Sequence, residues 1–224
     1  MHLLDLVPPH GVAPYLPGLS ASAATGRRPV LILHGAAGSP GNFEDLLRLL
    51  AHRSDRTVVA PAYGRRGTAR LERSAAELEA HARRLVAASP DGSIDIVGHS
   101  LGGLLGLLLA QRLPVARLIG LGACFRGCPP RFPRLLGACV GPVYPQIMRP
   151  LDIAPPAETR IVSYVSDLDA VVPPEYSDLS DYPGARVETV PAPGVLHYRL
   201  PLDTATEVFT RLCGPAVAPA CAPG

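Results

Sequence analysis

From residue 29 onward, short apolar runs alternate with longer segments whose apolar residues recur every three or four positions. The runs lie at Val30–Leu33, Thr57–Ala60, Ile94–Val97, Val115–Leu121, Arg160–Val165 and Arg186–Val190. The first, third and fifth are nearly continuous in apolar character, which is typical of parallel strands buried on both faces. The pattern therefore predicts an open, mostly parallel sheet of about six strands.

The segments between the runs predict helices on both faces of that sheet. Asn42 is suited to cap the first of them, because its side chain can accept a backbone hydrogen bond. Residues 69–88 carry apolar side chains at spacings of four, three, four and three, with Arg and Glu on the opposite face. Leu101–Leu113 and Pro201–Cys213 are the other helical candidates. Alternation of strands and helices implies right-handed crossovers, so the fold class is α/β.

One segment does not fit the alternation. Residues 124–159 contain eight Pro in 36 positions, and a structureless loop of that length is unusual in a compact domain. The segment leaves the carboxyl end of a strand, which is where open α/β sheets bind ligands. We therefore expect a short cap or flap insertion over a binding site. It belongs to a domain at residues 29–213, between an N-terminal arm at 1–28 and a C-terminal tail at 214–224.

Composition narrows the functional classes. The chain has 224 residues, of which 47% are hydrophobic and 18% charged, as expected of a globular domain with its own core. The net charge of only +2 gives no indication of a nucleic-acid partner. All 21 basic residues are Arg, which excludes a catalytic or phosphate-binding lysine. No run reaches the ~18 apolar residues of a membrane helix, so no stable membrane insertion is expected.

The five cysteines are an odd number without a C-x-x-C pair or a Cys/His cluster. Their simplest interpretation is small buried thiols, although a disulfide between Cys213 and Cys221, or one within residues 124–139, stays open.

The first twenty residues lack the basic region and unbroken apolar run of a signal peptide. A cytoplasmic location is therefore favoured, with secretion as the alternative if a leader was removed. The oligomeric state stays open.

The strongest chemical signal is Gly98-His99-Ser100-Leu101-Gly102, a G-x-S-x-G pattern directly after a buried strand and before a helical segment. A strand that turns sharply into a helix lifts the serine clear of the sheet. Glycines two positions before and after the serine let the strand and the helix approach each other. The bare pattern is weak, but in this context it predicts Ser100 as a nucleophile.

A second turn of small residues, His34-Gly35-Ala36-Ala37-Gly38, follows the first strand. Backbone N–H groups in such a turn can face a cavity and stabilise developing negative charge. Considered alone, the turn is equally compatible with a plain connection from a strand to a helix. Next to a serine nucleophile, the charge-stabilising interpretation is the better one.

The base that would activate the serine is expected at His197, in a loop between the last strand and the final helix. The other histidines lie in the arm, in predicted helices or in the two turns, and His99 is expected to point away from the nucleophile.

For the acid, Asp167 and Asp169 compete after the fifth strand. Two positions apart in an extended chain, both can face the same side. Val171 and its neighbour can bury the chain beside Asp169, which favours Asp169. Three acids stay as further alternatives: Asp178, Asp152 and Asp181.

Together these motifs resemble the α/β-hydrolase superfamily, and most closely the small bacterial lipases of the class 2 type. The likeness covers roughly residues 29–213. It rests on the H-G-x-x-G turn, the G-H-S-L-G elbow, an Asp before Val-Val-Pro and a late G-x-x-H. The long segment at 124–159 departs from those minimal lipases. The resemblance implies a catalytic triad and two backbone oxyanion donors, with no cofactor or metal: Ser100, Asp169 and His197, then Ala36 and Leu101.

The leading hypothesis from these residues is a serine esterase or lipase that hydrolyses a small-molecule or lipid-like ester through an acyl-serine. The same intermediate also suits an acyltransferase or a thioesterase, and an inactive ligand-binding scaffold is a third possibility. All three triad positions are filled, which disfavours the scaffold. The acyl chain length and the alcohol stay open. Four arginines of the cap either form a solvated face or favour an acidic substrate: Arg126, Arg131, Arg134 and Arg149.

Overall fold

The apolar runs of the sequence form one parallel sheet. The computed structural model describes residues 26–129 and 141–214. Its strands are β1 (Val30–Leu33), β2 (Val58–Val59), β3 (Ile94–His99), β4 (Val115–Leu121), β5 (Arg160–Val165) and β6 (Arg186–Pro191). They lie in the order β2-β1-β3-β4-β5-β6, and every neighbouring pair is parallel. The predicted open α/β sheet is confirmed.

Helices cover both faces of this sheet. The longer ones are α1 (Glu44–Arg53), α2 (Leu71–Ala88), α3 (Leu101–Ala110) and α4 (Ala205–Cys213). Short helical turns lie at Pro40–Phe43, Gly64–Gly67, Tyr144–Ile147, Pro174–Ser177, His197–Arg199 and Leu200–Asp203. Side chains of β1 alternate between two apolar clusters: Val30 and Ile32 pack with α1 and α4, whereas Leu31 and Leu33 pack with α2 and α3. The core therefore has one layer on each side of the sheet.

Helix α3 lies so close to the sheet that nearly all of its residues are buried. Two of its glycines explain this close approach. A Cβ atom on Gly106 would lie 2.7 Å from a methyl carbon of Leu118, and one on Gly103 would lie 2.3 Å from the Cβ of Ala123. The missing side chains let the helix settle against β4. Its N-terminus, which follows Ser100, is thereby held at the carboxyl edge of the sheet.

Two predicted helix ends differ from the structure. Asn42 does not cap α1 but lies in the preceding helical turn, where its side-chain oxygen accepts a hydrogen bond from the Ser39 N–H at 2.7 Å. The last predicted helix is divided at Thr204, whose hydroxyl bonds the Leu200 carbonyl at 2.7 Å. Such a local hydrogen bond competes with a continuous helix.

The described part of the predicted cap is built into the core. Phe125 and Val143 are fully buried in the cluster that contains α3. The Cys128 N–H donates to the Ile147 carbonyl at 2.7 Å, which joins the two described parts of the segment. Residues 130–140, most of the predicted arm and the tail from residue 215 lie outside the described residues, so the predicted domain boundaries stay predictions. Among the helices described here, none has the length and hydropathy that a membrane crossing requires.

Candidate active site

The turn at Ser100 has the geometry of a nucleophile elbow. Strand β3 ends at His99 and α3 begins at Leu101, so Ser100 alone reverses the chain, with φ 52° and ψ −120°. A Cβ on Gly98 would lie 2.5 Å from the backbone of Gly102, and a Cβ on Gly102 would lie 2.1 Å from the Leu33 carbonyl oxygen. Both glycines of the motif are therefore required by contact, as the sequence predicts. This backbone strain at Ser100 is of the kind that functional sites maintain.

Asp169 and His197 form a buried pair. The Asp169 Oδ2 lies 2.6 Å from the His197 Nδ1, and the Asp169 side chain is fully buried. Its other oxygen accepts hydrogen bonds from the N–H groups of Val171, at 2.9 Å, and Val172, at 2.7 Å. Carboxylate oxygens accept hydrogen bonds, so the His197 Nδ1 donates to the Asp169 Oδ2, and the His197 Nε2 takes no part in this contact.

Asp167 faces a different part of the chain. Its Oδ1 accepts a hydrogen bond from the Gly194 N–H at 2.8 Å, so it fastens the loop that leads to His197. The chain at this point is a turn, closed by the Asp169 N–H to the Ser166 carbonyl at 3.3 Å. Because the chain is not extended here, strand alternation does not determine which way Asp167 and Asp169 face. The three further alternatives bond other groups: Asp178 bonds Thr189, Asp152 bonds Tyr182 and Asp181 bonds Arg126.

Gly122 is a site residue that the sequence analysis missed. It follows β4 with φ +51°. A Cβ here would lie 2.7 Å from the Asp169 Oδ2 and 3.1 Å from the His197 Nδ1. Both the positive φ and the close packing require glycine, which lets Asp169 and His197 approach the end of β4. The available signal was a glycine placed directly after a buried apolar run.

His99 also lies at the site, contrary to the expectation that it points away. Its ring lies 4.6 Å from the His197 ring, and its Nε2 lies 3.0 Å from the His197 carbonyl oxygen. A carbonyl only accepts, so this Nε2 donates and supports the backbone of His197. Burial, and then repulsion by His197, lower the pKa of His99 well below its usual range. His99 is therefore neutral at physiological pH.

The small-residue turn lies opposite the elbow. Its β-turn is closed by the Gly38 N–H to the Gly35 carbonyl at 3.1 Å, and Ala37 adopts φ 58°. Because a trans peptide directs its N–H away from its carbonyl, the Ala36 N–H points away from that hydrogen bond. Leu101 is the first residue of α3, where N–H groups have no partner within the helix. These are the two predicted oxyanion donors.

Ser100, His197 and Ala36 line one cavity of about 290 Å³. The predicted cap contributes a mainly apolar wall to this cavity: Cys128, Pro129, Tyr144, Ile147 and Met148. Val171 and Tyr198 also line this cavity. The described part of the 124–159 segment therefore lies at the cavity that Ser100 lines.

The charges of the cap are engaged elsewhere. The Arg126 Nε donates to the Asp178 carbonyl at 2.7 Å, and its guanidinium lies 4.8 Å from the centre of the Tyr182 ring. Arg149 bonds the Gln146 carbonyl at 3.2 Å. These contacts give both side chains partners within the protein. They therefore favour a solvated face over recognition of an acidic substrate. Two of the cap arginines lie outside the described residues: Arg131 and Arg134.

The described thiols are all free, namely Cys124, Cys128 and Cys213. Cys139 and Cys221, the partners in the disulfides left open above, lie outside the described residues. Within 26–129 and 141–214, no group of three His, Cys, Asp or Glu side chains is arranged to hold a metal ion.

With this geometry established, comparison with known proteins gives a family. Residues 28–143 match the family model described as alpha/beta hydrolase fold. The chain belongs to this family, which confirms the resemblance to the α/β-hydrolase superfamily. No sequence among the curated proteins matches this chain.

Solved structures of esterases and lipases share the fold. The thermophilic esterase 2 of the Planctomycetes species Thermogutta terrifontis, with butyrate bound, is 19% identical with a TM-score of 0.62, over 91% of this chain and 89% of its own. The same enzyme has been solved phosphorylated by paraoxon. The monoacylglycerol lipase of Paleococcus ferrophilus is 15% identical with a TM-score of 0.64, over 83% of this chain and 95% of its own. Lipase B of Aspergillus fumigatus is 18% identical with a TM-score of 0.62, over 79% of this chain but only 47% of its own length.

Proposed function

We propose that this protein is a serine esterase that hydrolyses small carboxylic esters through an acyl-serine intermediate. The observation that carries the proposal is the buried Asp169–His197 pair at 2.6 Å beside the strained Ser100 elbow, with Ser100 and His197 lining one cavity. A neutral imidazole held by a carboxylate is the general base that a serine hydroxyl needs. The butyrate bound to the Thermogutta esterase supports a carboxylic acyl group as the substrate moiety.

Each residue then has a distinct part in the reaction. The Ser100 hydroxyl attacks the ester carbonyl while the His197 Nε2 takes its proton and later returns it to the leaving alcohol. Asp169 keeps the imidazole in the required tautomer and stabilises the imidazolium. The N–H groups of Ala36 and Leu101 receive the negative charge of the tetrahedral intermediate. Water then attacks the acyl-serine while His197 takes its proton, and the carboxylic acid leaves as Ser100 regains a proton from His197.

The cavity suggests the size and polarity of the substrate. A volume of about 290 Å³ is at the lower limit of ordinary small-molecule sites, which span roughly 300–1,000 Å³. Its cap wall includes Ile147 and Met148, which suit an acyl chain rather than a charged group. We therefore expect esters of short or medium acyl length to be the preferred substrates.

The test compares the wild type with three substitutions on p-nitrophenyl esters from acetate to palmitate, together with a fluorophosphonate probe. Ser100→Ala should abolish both turnover and labelling. Asp169→Asn should keep the fold but reduce kcat by about 10⁴, since the wrong tautomer is then held. Asp167→Asn is the matched control, because the Asn oxygen still accepts the Gly194 N–H bond, and it should retain activity within about threefold.

Labelling that survives Ser100→Ala would refute the nucleophile. A large loss in Asp167→Asn with little loss in Asp169→Asn would refute the acid. A wild type that is labelled but transfers its acyl group to an added alcohol or thiol faster than to water would instead be an acyltransferase. A wild type that is neither labelled nor active would refute the serine hydrolase and leave the ligand-binding scaffold as the hypothesis.

A further inference from the structure

Residues Gly64–Gly67 form a left-handed helical turn beside the active site. All four have positive φ, at 55°, 50°, 61° and 71°. The turn is closed by the Gly67 N–H to the Tyr63 carbonyl at 2.9 Å and the Thr68 N–H to the Gly64 carbonyl at 2.8 Å. Such a conformation is costly for the two arginines inside it, at roughly 1–2 kcal/mol per residue. Strain of this kind persists only where surrounding contacts impose it.

Besides a hydrogen bond from the Gly64 N–H to Glu77 of α2 at 2.7 Å, this turn makes several contacts with the small-residue turn at residues 34–38. The Arg66 Nη2 donates to the Ala37 carbonyl at 2.5 Å, and its Nε lies 3.4 Å from the Gly38 carbonyl. A Cβ on Gly67 would lie 3.0 Å from the Gly35 carbonyl oxygen and 3.4 Å from the Ala36 Cα. The left-handed turn therefore brings both its backbone and one guanidinium against the segment that carries Ala36.

These contacts form a chain of planar peptides. Arg66 holds the Ala37 carbonyl, which orients the peptide between Ala37 and Gly38. That peptide then directs the Gly38 N–H to the Gly35 carbonyl at 3.1 Å. The Gly35 carbonyl in turn orients the peptide whose N–H belongs to Ala36, because a trans peptide directs the two groups in opposite directions. Arg66 is thus two peptides away from the oxyanion donor that it positions.

We propose that Arg66 is a positioning residue for the oxyanion hole, held in place by the left-handed turn. The inference rests on the proposed function, since an oxyanion forms only if Ser100 attacks a carbonyl. A preorganised donor acts on the transition state and not on the bound substrate. Loss of Arg66 should therefore lower kcat and leave KM nearly unchanged.

The chain supplies a matched control in Arg65. This residue has the same left-handed backbone, at φ 50°, but its side chain is exposed. Replacement of either arginine by Gly relieves the backbone strain equally, whereas only Arg66→Gly removes the guanidinium from Ala37. We expect Arg66→Gly to reduce kcat on the order of tenfold with KM within about twofold, and Arg65→Gly to keep wild-type kinetics. Arg66→Lys, which can still reach one carbonyl, should recover part of kcat.

The experiment adds a trifluoromethyl ketone, whose adduct with the serine carries an oxyanion. Its inhibition constant should rise in Arg66→Gly by the same factor by which kcat/KM falls, and it should stay unchanged in Arg65→Gly. A purely structural role for Arg66 would lower the unfolding midpoint without this correlation, and would overturn the proposal. So would equal kinetics for the two Gly variants, or a rise in KM at constant kcat. An inactive, unlabelled wild type would overturn the proposed function and this inference together, whereas an active wild type with an active Arg66→Gly variant would overturn only the inference.

Discussion

The most quantitative prediction concerns acid denaturation through His34. This side chain is buried in the turn that carries Ala36, where it stacks on the Tyr63 ring at 4.3 Å and its Nδ1 donates to the Gly35 carbonyl at 2.8 Å. Within the described residues its Nε2 has no hydrogen-bond partner. Burial, and to a smaller extent the charge of Arg66, lower the pKa of His34 from 6.5 to about 4. Protonation would place a buried charge on an atom without an acceptor.

The sign of the effect follows from which state binds the proton. Below pH 6.5 the unfolded chain protonates His34, while the folded protein does so only near pH 4. Stability is therefore fully present above pH 6.5 and is lost as the pH falls through this window. A shift from 6.5 to about 4 corresponds to about 2 kcal/mol of lost stability at pH 5 and roughly 3 kcal/mol at pH 4. That is a substantial part of the 5–15 kcal/mol typical of a domain.

The perturbation that isolates this effect is His34→Phe, which keeps an aromatic ring against Tyr63 but does not titrate. Urea unfolding of both proteins from pH 7 to pH 4 gives the two stability curves. The free-energy gap between them should change by about 2 kcal/mol in favour of the variant by pH 5. Any constant cost of the lost Gly35 bond cancels. The contribution of His99, which both proteins contain, also cancels except for its smallest part, the repulsion from His34. His52→Gln, at an exposed histidine of α1, is the control and should follow the wild type.

Parallel curves for the wild type and His34→Phe would refute the reasoning, because His34 would then not be the group that resists protonation. If the variant does not fold, an NMR titration of the His34 ring in the wild type decides the same question. A folded-state pKa near 6.5 would contradict the expected pKa of about 4.

Two further predictions concern the geometry of the site. Gly122→Ala should lower kcat by about 10² or more, since its Cβ would displace Asp169 or His197 by a large fraction of an ångström. Gly184→Ala, which has a positive φ of 74° but nothing within 4 Å, is the control, and a similar loss there would mean that backbone strain alone is responsible. Met148→Ala should enlarge the cavity at the cap wall. It should raise kcat/KM for the octanoate ester relative to the butanoate ester on the order of tenfold. Arg149→Ala controls for the neighbouring surface, and an unchanged ratio in Met148→Ala would show that this wall does not contact the acyl chain.

The fold was predictable because burial on both faces leaves a direct mark on the sequence. Strand β5 is bounded as its apolar run predicts, and β3 extends only two residues beyond its run. Asp95, the polar residue inside that run, did not hide the strand. In the structure it is buried with the Arg56 guanidinium 2.6 Å away and Arg28 at 3.3 Å. Those partners are distant in sequence, so the reason that Asp95 is tolerated was not predictable.

The limits of sequence reasoning are clearest between Asp167 and Asp169. Alternation could not separate them, and the Val171-Val172 pair favoured Asp169 only through expected burial. The structure adds a second cause, since the N–H groups of both valines donate to the Asp169 Oδ1. Hydrogen bonds from a turn to a carboxylate depend on backbone angles that residue type does not encode. The position of Gly122 against the same carboxylate depends on packing between three separate loops, and no local pattern carries that information.

Backbone strain links the remaining features of the site. Within residues 26–129 and 141–214, the non-glycine residues with positive φ are Ala37, Arg65, Arg66 and Ser100. Ser100 is the proposed nucleophile, Ala37 follows the proposed oxyanion donor, and the two arginines lie in the turn that contacts Ala37. Left-handed backbone costs each of these residues free energy that ordinary packing gives no reason to spend. Its concentration at one edge of the sheet is therefore an independent argument that this edge is the functional site.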